Sequence, residues 1–413
     1  MEKNTRIVLK ALWILFIYLS VSCCNKKDSL PLNVIPLASE VGNYNILNLS
    51  DYVSEIKYIQ LETNDSVLIG AIPRICYENE KILIKDRTNN CYLFDNNGNF
   101  CRKIGQSGQG PNDYLYITQF FITDDLIFLK DRLKILIYDF DGYLVEKISW
   151  RPTDFPAEYI SHGDFYIVPL KKETFVMDVV TFSGYYPKAI LFETNQSGVK
   201  IIKEYPNFIT LDKVLPIIFG TESGIIYRFQ HEVRTYKGIN DTIFTIGQDT
   251  EMKAAFIYNS GKYGPTLSYF EMREGENARD NYIIPGAIYE STNHLFIEFS
   301  FGKYAPEPVE SVNSQGGRYT QTDVRGIFDK RTGKLALMRQ PVRGKFGFKN
   351  NIDVGPVIWP DYISTNNELV TMIQPSEFME YYDKITNPSA ELTEIAHRIE
   401  WDDNPIVIVA KLK

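Results

Sequence analysis

The chain has 413 residues, 44% of them hydrophobic and 23% charged, which supplies a large core and excludes a disordered chain. Its formal net charge of −8 comes without a strongly basic stretch, which argues against a nucleic-acid partner. The 27 Tyr and 25 Phe favour strands, where rings pack on a pleated surface, and they also suit carbohydrate contact.

The chain opens with Lys3, Arg6 and Lys10, then runs apolar from Ala11 to about Val21. A basic flank before a short apolar run reads as an export signal, too short to stay as a membrane span. It ends in "LSVSCC", small residues before a cysteine, which resembles the bacterial lipobox. Cys23 is the expected lipidation site and Cys24 the alternative. An acylated cysteine would tie the protein to a membrane. Lys26-Lys27-Asp28 is loosely similar to the short signals that send some lipoproteins to the cell surface. The expected layout is a leader over 1–22, a lipidated tether over 23–45, and one folded domain over 46–413.

Next comes a repeat. "ILIKDRTNNCYLFDNNGNFCRKIG" (Ile82–Gly105) aligns with "IFLKDRLKILIYDFDGYLVEKIS" (Ile127–Ser149) at an offset of 44 or 45 residues. Lys85-Asp86-Arg87 matches Lys130-Asp131-Arg132, Phe94-Asp95 matches Tyr138-Asp139, and Gly98 matches Gly142. With "IPRICYEN" ahead of it, one period holds four short apolar runs joined by Asn/Asp/Gly turns, which is a meander of strands. One such meander cannot bury its own faces, but stacked radially it becomes a blade of a β-propeller. Echoes at Phe192-Glu193 with Gly198 and at Phe328-Asp329 with Gly333 extend the pattern, and the remaining length gives six blades with insertions in the later ones. The expected fold is all-β: six four-stranded antiparallel blades, with one short helix in "PSAELTEIAHRIEWDD" near the C-terminus.

Between the two clearest blades lies "KIGQSGQGPNDY" (Lys103–Tyr114), whose glycines suggest a phosphate cradle. Such a cradle needs a helix after it, whereas Pro111 and "NDYLYITQFFI" read as a turn and then a strand, with no Lys-Ser/Thr step. The stretch is therefore expected to cross from the outer strand of one blade to the inner strand of the next.

Cys76, Cys91 and Cys101 match no zinc spacing. Cys91 and Cys101 either pair across a hairpin or, as the preferred reading, are small buried residues in adjacent strands. His162, His231, His294 and His397 lie far apart and are expected to be surface or locally satisfied residues. Neither a metal nor a cofactor is expected.

The crossover, "INDTIFTI" (Ile239–Ile246) with "FIYNSGKYGP", and the tail "WDDNPIVIVAKLK" resemble the six-bladed β-propeller lipoproteins of gut-dwelling Gram-negative anaerobes, relatives of the NHL-type propellers. The resemblance implies ring closure by an N-terminal strand, with "DYVSEIKYIQLET" (Asp51–Thr63) beside "PIVIVAKLK". It also implies an outer-membrane or cell-surface location. Asp65–Val67 and Asp241–Ile243 resemble the short O-glycosylation signals of the same bacteria and are read as chance matches.

The leading reading is a non-catalytic binding or scaffold module for glycans or an outer-membrane protein partner, since no nucleophile elbow or metal-protease motif is present. The alternative is a glycan hydrolase or lyase whose carboxylates come from different blades. Asp86, Asp131, Glu193 and Glu298 are the candidates for meeting in the channel, and no residue is assigned a catalytic role.

Overall fold

A computed structural model describes residues 33–69, 73–156, 165–171, 173–179, 188–195, 198–206, 225–236, 240–265, 278–313 and 316–413. The expected leader, Cys23, Cys24 and His162 lie outside these residues.

Six antiparallel sheets succeed one another along the chain as the blades of a propeller. Blade 1 is Arg74–Glu78, Lys81–Lys85, Cys91–Asp95 and Phe100–Lys103, from inner to outer strand. Blade 2 is Gln119–Thr123, Leu126–Asp131, Lys134–Tyr138 and Leu144–Ser149. Blade 3 is Ile167–Lys171, Thr174–Asp178, Ala189–Asn195 and Gly198–Tyr205. Blade 4 is Ile225–Phe229, Glu232–Tyr236, Thr242–Ile246 and Met252–Tyr258. Blade 5 is Ile284–Glu290, His294–Ser300, Asp323–Asp329 and Lys334–Met338. Blade 6 takes Tyr362–Ile363, Glu368–Ile373 and Ile406–Leu412 from the end of the chain and Val53–Gln60 from its beginning. That last pairing is the expected closure, antiparallel with Ile406 opposite Gln60 and Lys411 opposite Glu55. It leaves no open gap in the ring.

The middle strands are apolar on both faces because each blade is packed between two others, whereas outer strands such as Leu144–Ser149 are largely exposed. In Lys81–Lys85, Ile82 and Ile84 face blade 6 while Leu83 faces blade 2. In Lys134–Tyr138, Ile135 and Ile137 face blade 3 while Leu136 and Tyr138 face blade 1. The buried apolar residues form six clusters, one at each blade-to-blade seam. Burying each Leu or Ile in such a seam contributes about 1.5–3 kcal/mol.

The first strand of each blade starts where a crossover arrives, and successive strands alternate in direction. Crossovers and second-to-third connections therefore share one face of the ring, and the two kinds of tight hairpin share the other. The long insertions of blades 5 and 6 both leave from the crossover face. Blade 5 inserts the hairpin Val309–Val312 with Arg318–Gln321. Blade 6 inserts the helices Pro375–Tyr382 and Ala390–Arg398. The second of these is the expected helix, capped by Ser389, whose Oγ accepts from Leu392 N at 3.2 Å. The first was not anticipated from the sequence.

The tether reading also shifts. Asn33–Ile35 adds a fifth, outermost strand to blade 4, and Tyr44–Asn45 runs parallel to Lys334–Met338 on the outside of blade 5. Ile35 and Leu37 are fully buried in the seam between those blades. Residues that the sequence reading gave to the tether thus belt the ring.

The glycine-rich stretch is a crossover, as expected. Gly108 N donates to Tyr114 O at 3.0 Å and Gly110 N to Asp113 Oδ2 at 2.8 Å. A Cβ on Gly108 or Gly110 would stand 2.4 or 2.6 Å from that carboxylate oxygen. The glycines make room for a side chain of the protein itself. Cys76 and Cys91 are buried and Cys101 is exposed, all three as free thiols. The expectation of buried cysteines thus fails for Cys101, which sits on the outer strand beside a bulge.

Two outcomes follow from this packing. Gly98, at φ +87°, brings the outer turn of blade 1 against the closing strand, where a Cβ would lie 2.2 Å from Gln60 O. Gly98→Ala is expected to cost about 3 kcal/mol, read as a lower urea midpoint. Burial pushes the Cys76 thiol up to about 12 and the Cys91 thiol upward as well. Peptide mapping after maleimide treatment of the native protein is therefore expected to find label on Cys101, and on Cys76 and Cys91 only after unfolding.

Candidate site at the seam of blades 5 and 6

The inner strands of neighbouring blades face one another around the channel. Near the hairpin face the channel is crossed: Arg228, on the inner strand of blade 4, donates to Thr123 Oγ1 on that of blade 2. The crossover face carries both insertions, and beneath them polar groups gather where blades 5 and 6 meet.

Glu298, on the second strand of blade 5, stands opposite Arg325 on the third. Arg325 Nη2 lies 3.4 Å from Glu298 Oε1. Trp359 Nε1 donates to the same oxygen at 3.0 Å. The guanidinium packs 5.5 Å from the Phe346 ring centre and 5.7 Å from that of Trp359. These contacts satisfy it partly through ring faces. Backbone bonding between Phe348 and Ile358, at 2.8 and 3.3 Å, sets Trp359 against this group. Asp361 follows, immediately before the inner strand of blade 6. Its Oδ2 accepts from Thr371 Oγ1 at 2.7 Å and Met372 N at 3.1 Å.

Burial raises the Glu298 carboxyl above the usual range; Arg325 opposes this, and Asp323 and Asp361 add to it. Burial also raises Asp361, against its bonds to Thr371 and Met372 and the charge of Arg325. Asp361 is nonetheless exposed by surface area. The two observations agree if water reaches the carboxyl through a mouth crowded by protein, so that it is accessible but poorly hydrated. Burial and the charges of Glu298 and Asp361 hold the Tyr289 phenol well above its ordinary value. The cluster therefore joins two carboxyls of raised proton affinity from different blades, one guanidinium, and the rings of Trp359, Phe346 and Tyr289. It offers donors, acceptors and apolar ring surface together, a combination that suits hydroxyl-rich ligands and also acid–base work on them.

Of the four candidate carboxylates, Glu298 alone belongs here. Asp86 closes its own turn, accepting from Asn90 N at 2.8 Å and Thr88 Oγ1 at 2.7 Å. Asp131 accepts from Leu115 N of the crossover at 3.0 Å. Glu193 is exposed on the third strand of blade 3, opposite Lys200. Asp361, Arg325 and Trp359 were not singled out from the sequence; the only signal is "WPDYI", an aromatic-acid step just before a strand. His231 and His397 are exposed, while His294 is buried between Tyr52 and Phe296 with Asp329 Oδ2 at 4.0 Å. Ser66 is exposed, whereas Thr242 is buried and donates to Asp241 Oδ1 at 2.7 Å. Among the described residues, no group of three His, Cys, Asp or Glu is placed to hold a metal. No helix there is long and apolar enough to cross a membrane.

The fold defines a six-bladed β-propeller. The chain belongs to the family described as a domain of unknown function, DUF4934, whose model matches residues 32–411. A crystal structure of a Bacteroides fragilis protein described as exported is similar to it: TM-score 0.66 at 19% identity, covering 92% of this chain and 99% of that one. A Bacteroides vulgatus member of the DUF4221 family gives TM-score 0.49 at 10% identity, covering 87% of this chain and 97% of that one. A Bacteroides thetaiotaomicron protein of unknown function gives TM-score 0.42 at 10% identity, covering 86% and 75%. A search of curated proteins finds no match.

The raised carboxyl makes a pH prediction. A carboxyl whose folded value lies above its unfolded value favours the native state while protonated, and that advantage is lost as pH rises through the folded value. Glu298→Gln is expected to reduce the loss of melting temperature as pH rises above the ordinary carboxyl range, measured by calorimetry.

Proposed function

We propose that this protein is an exported lipoprotein, anchored through Cys23, whose propeller captures glycans at the crossover-face mouth between blades 5 and 6. One observation carries the reading: Glu298, Arg325 and Asp361 stand together beside the half-buried rings of Phe346 and Tyr289, with the buried Trp359 holding Glu298 in place. Planar polar groups pair with sugar hydroxyls and ring faces pack on their C–H surfaces. The leader and the cysteine at its end support export and anchoring, as does the likeness to a Bacteroides fragilis protein described as exported. The outer membrane is the proposed location.

A second reading has its own support. Glu298 and Asp361 come from adjacent blades and each raises the proton affinity of its surroundings, as a pair of acid and base carboxyls would. It makes the protein a hydrolase or lyase at the same mouth.

The test is a thermal-shift and glycan-array screen of the mature chain against plant, mucin and bacterial polysaccharides, with products examined for new reducing ends. A reproducible shift that is lost in Asp361→Asn and leaves the polymer intact is the expected result. New reducing ends or unsaturated products would transfer the assignment to the enzyme. No shift across the panel would defeat both readings.

A further inference from the structure

The Lys-Asp-Arg step occurs in blades 1 and 2, and its lysine meets different surroundings in each. In blade 2, Lys130 is fully buried, stands opposite Gln119, donates to Thr118 Oγ1 at 3.1 Å and lies 4.5 Å from the Phe165 ring centre. The frame occupies it. In blade 1, Lys85 ends the second strand at the crossover face and is only half-buried. The residue opposite it on the inner strand is Arg74, which is exposed. Like charges placed directly opposite across two strands repel.

Among the described residues, neither cation has an ion pair. The adjacent Asp86 is buried and held in its own turn, accepting from Asn90 N and Thr88 Oγ1. Lys85 Nζ donates only to a backbone carbonyl, Asp86 O, at 3.4 Å. Burial and the charge of Arg74 pull its ammonium below the ordinary lysine value, against the charge of Asp86. Both side chains leave their strands on the face that carries Cys76 and Leu83, toward blade 2. There the crossover sets the Tyr116 ring centre 5.1 Å from Lys85 Nζ, and Tyr116 is 56% exposed. An open ring thus borders two cations that the protein leaves unneutralised.

This patch shares the crossover-face mouth with Glu298 and Asp361. Arg74 opens the inner strand of blade 1, and Asp361 stands immediately before that of blade 6. The Tyr362 hydroxyl donates to Glu78 Oε1 at 2.8 Å and Thr365 N to the same oxygen at 3.0 Å, which ties blade 6 to the inner strand of blade 1.

We propose that Arg74 and Lys85 form an anion subsite of the mouth, taking the carboxylate or sulfate of an acidic sugar whose ring packs on Tyr116. The inference rests on the glycan reading above and narrows its ligand to acidic glycans. A guanidinium pairs with two oxygens of such a group at once, and the ammonium adds charge. The carboxyls of blades 5 and 6 repel the anion and accept hydroxyls instead, so the glycan lies in one register.

The experiment is isothermal titration of the mature chain with two matched pairs: hexagalacturonate against its methyl ester, and sulfated against unsulfated isomaltohexaose. The expected result is that the charged member of at least one pair binds at least about tenfold more tightly than its neutral partner. The pair that shows it tells carboxylate from sulfate. Arg74→Gln and Lys85→Gln bring the charged member down to the affinity of the neutral one. Neither lowers the melting temperature, because each relieves a repulsion. Asp361→Asn weakens both members. Equal binding within both pairs overturns the subsite and leaves the mouth standing through Asp361. So does a preference that survives in both Gln variants, and a lowered melting temperature beside it would mark a frame role like that of Lys130. Acidic binding lost in the Gln variants but untouched by Asp361→Asn keeps Arg74 and Lys85 as a site and removes the mouth of blades 5 and 6. No binding by any of the four sugars overturns the subsite.

Discussion

The structure depends on apolar contact between blades that cannot bury themselves. A strand segment buried between two blades must be hydrophobic on both faces, because one face meets the preceding blade and the other the following one. Tyr58 and Ile59 are consecutive, yet they lie in the clusters on opposite sides of blade 6. The ring is stable only if all six seams close together, and the last seam needs both ends of the chain. Turns serve the same end. The outer turn of each of several blades is clamped by the outer strand before it: Lys57 on Asn96 O, Arg102 on Asp141, and Lys203 on Thr250 O and Glu251.

Charge enters this apolar frame at several of the described seams, and two of them differ in kind. Between blades 4 and 5, Glu290 accepts from Arg234 at 3.1 Å, Lys330 at 3.0 Å and the Tyr227 hydroxyl at 2.9 Å. Arg234 also pairs with Glu232, and Phe229 lies beneath both cations. That network is saturated and has the character of a structural lock, since a half-paired buried charge would be costly. Between blades 5 and 6, the carboxyls outnumber the single arginine and both are pushed toward their protonated forms. An under-compensated cluster at a channel mouth is where a ligand has something to supply.

Much of the fold was legible in the sequence. Blades 1 and 2 are free of insertions, so their repeat keeps a constant offset and their turns keep Asn, Asp and Gly at matching positions. The closing strand was legible through its own alternation and its apolar partner. What escaped had no pattern to offer. Asn33–Ile35 and Tyr44–Asn45 are too short to show a period, and prolines before and between them suggest a linker. The helix Pro375–Tyr382 has no side-chain cap at its start. The candidate site was legible only through Glu298, because Arg325 and Asp361 join it from another strand and from a crossover, and proximity created by folding leaves no spacing in the sequence.

The closing seam has a kinetic consequence. The outermost strand of blade 6 is made before any other strand of the six blades, and its partner, Ile406–Leu412, is made after all of them. During vectorial emergence, Val53–Gln60 has no correct neighbour until every other blade exists. Its exposed edge must wait in a chain where non-local pairing is slow. Ser54, Glu55 and Lys57, all exposed in the finished ring, keep that waiting strand soluble. Ring closure is thus a single late event, and a polypeptide stopped before Ile406 would carry five blades, an unpaired Val53–Gln60 and no closed channel.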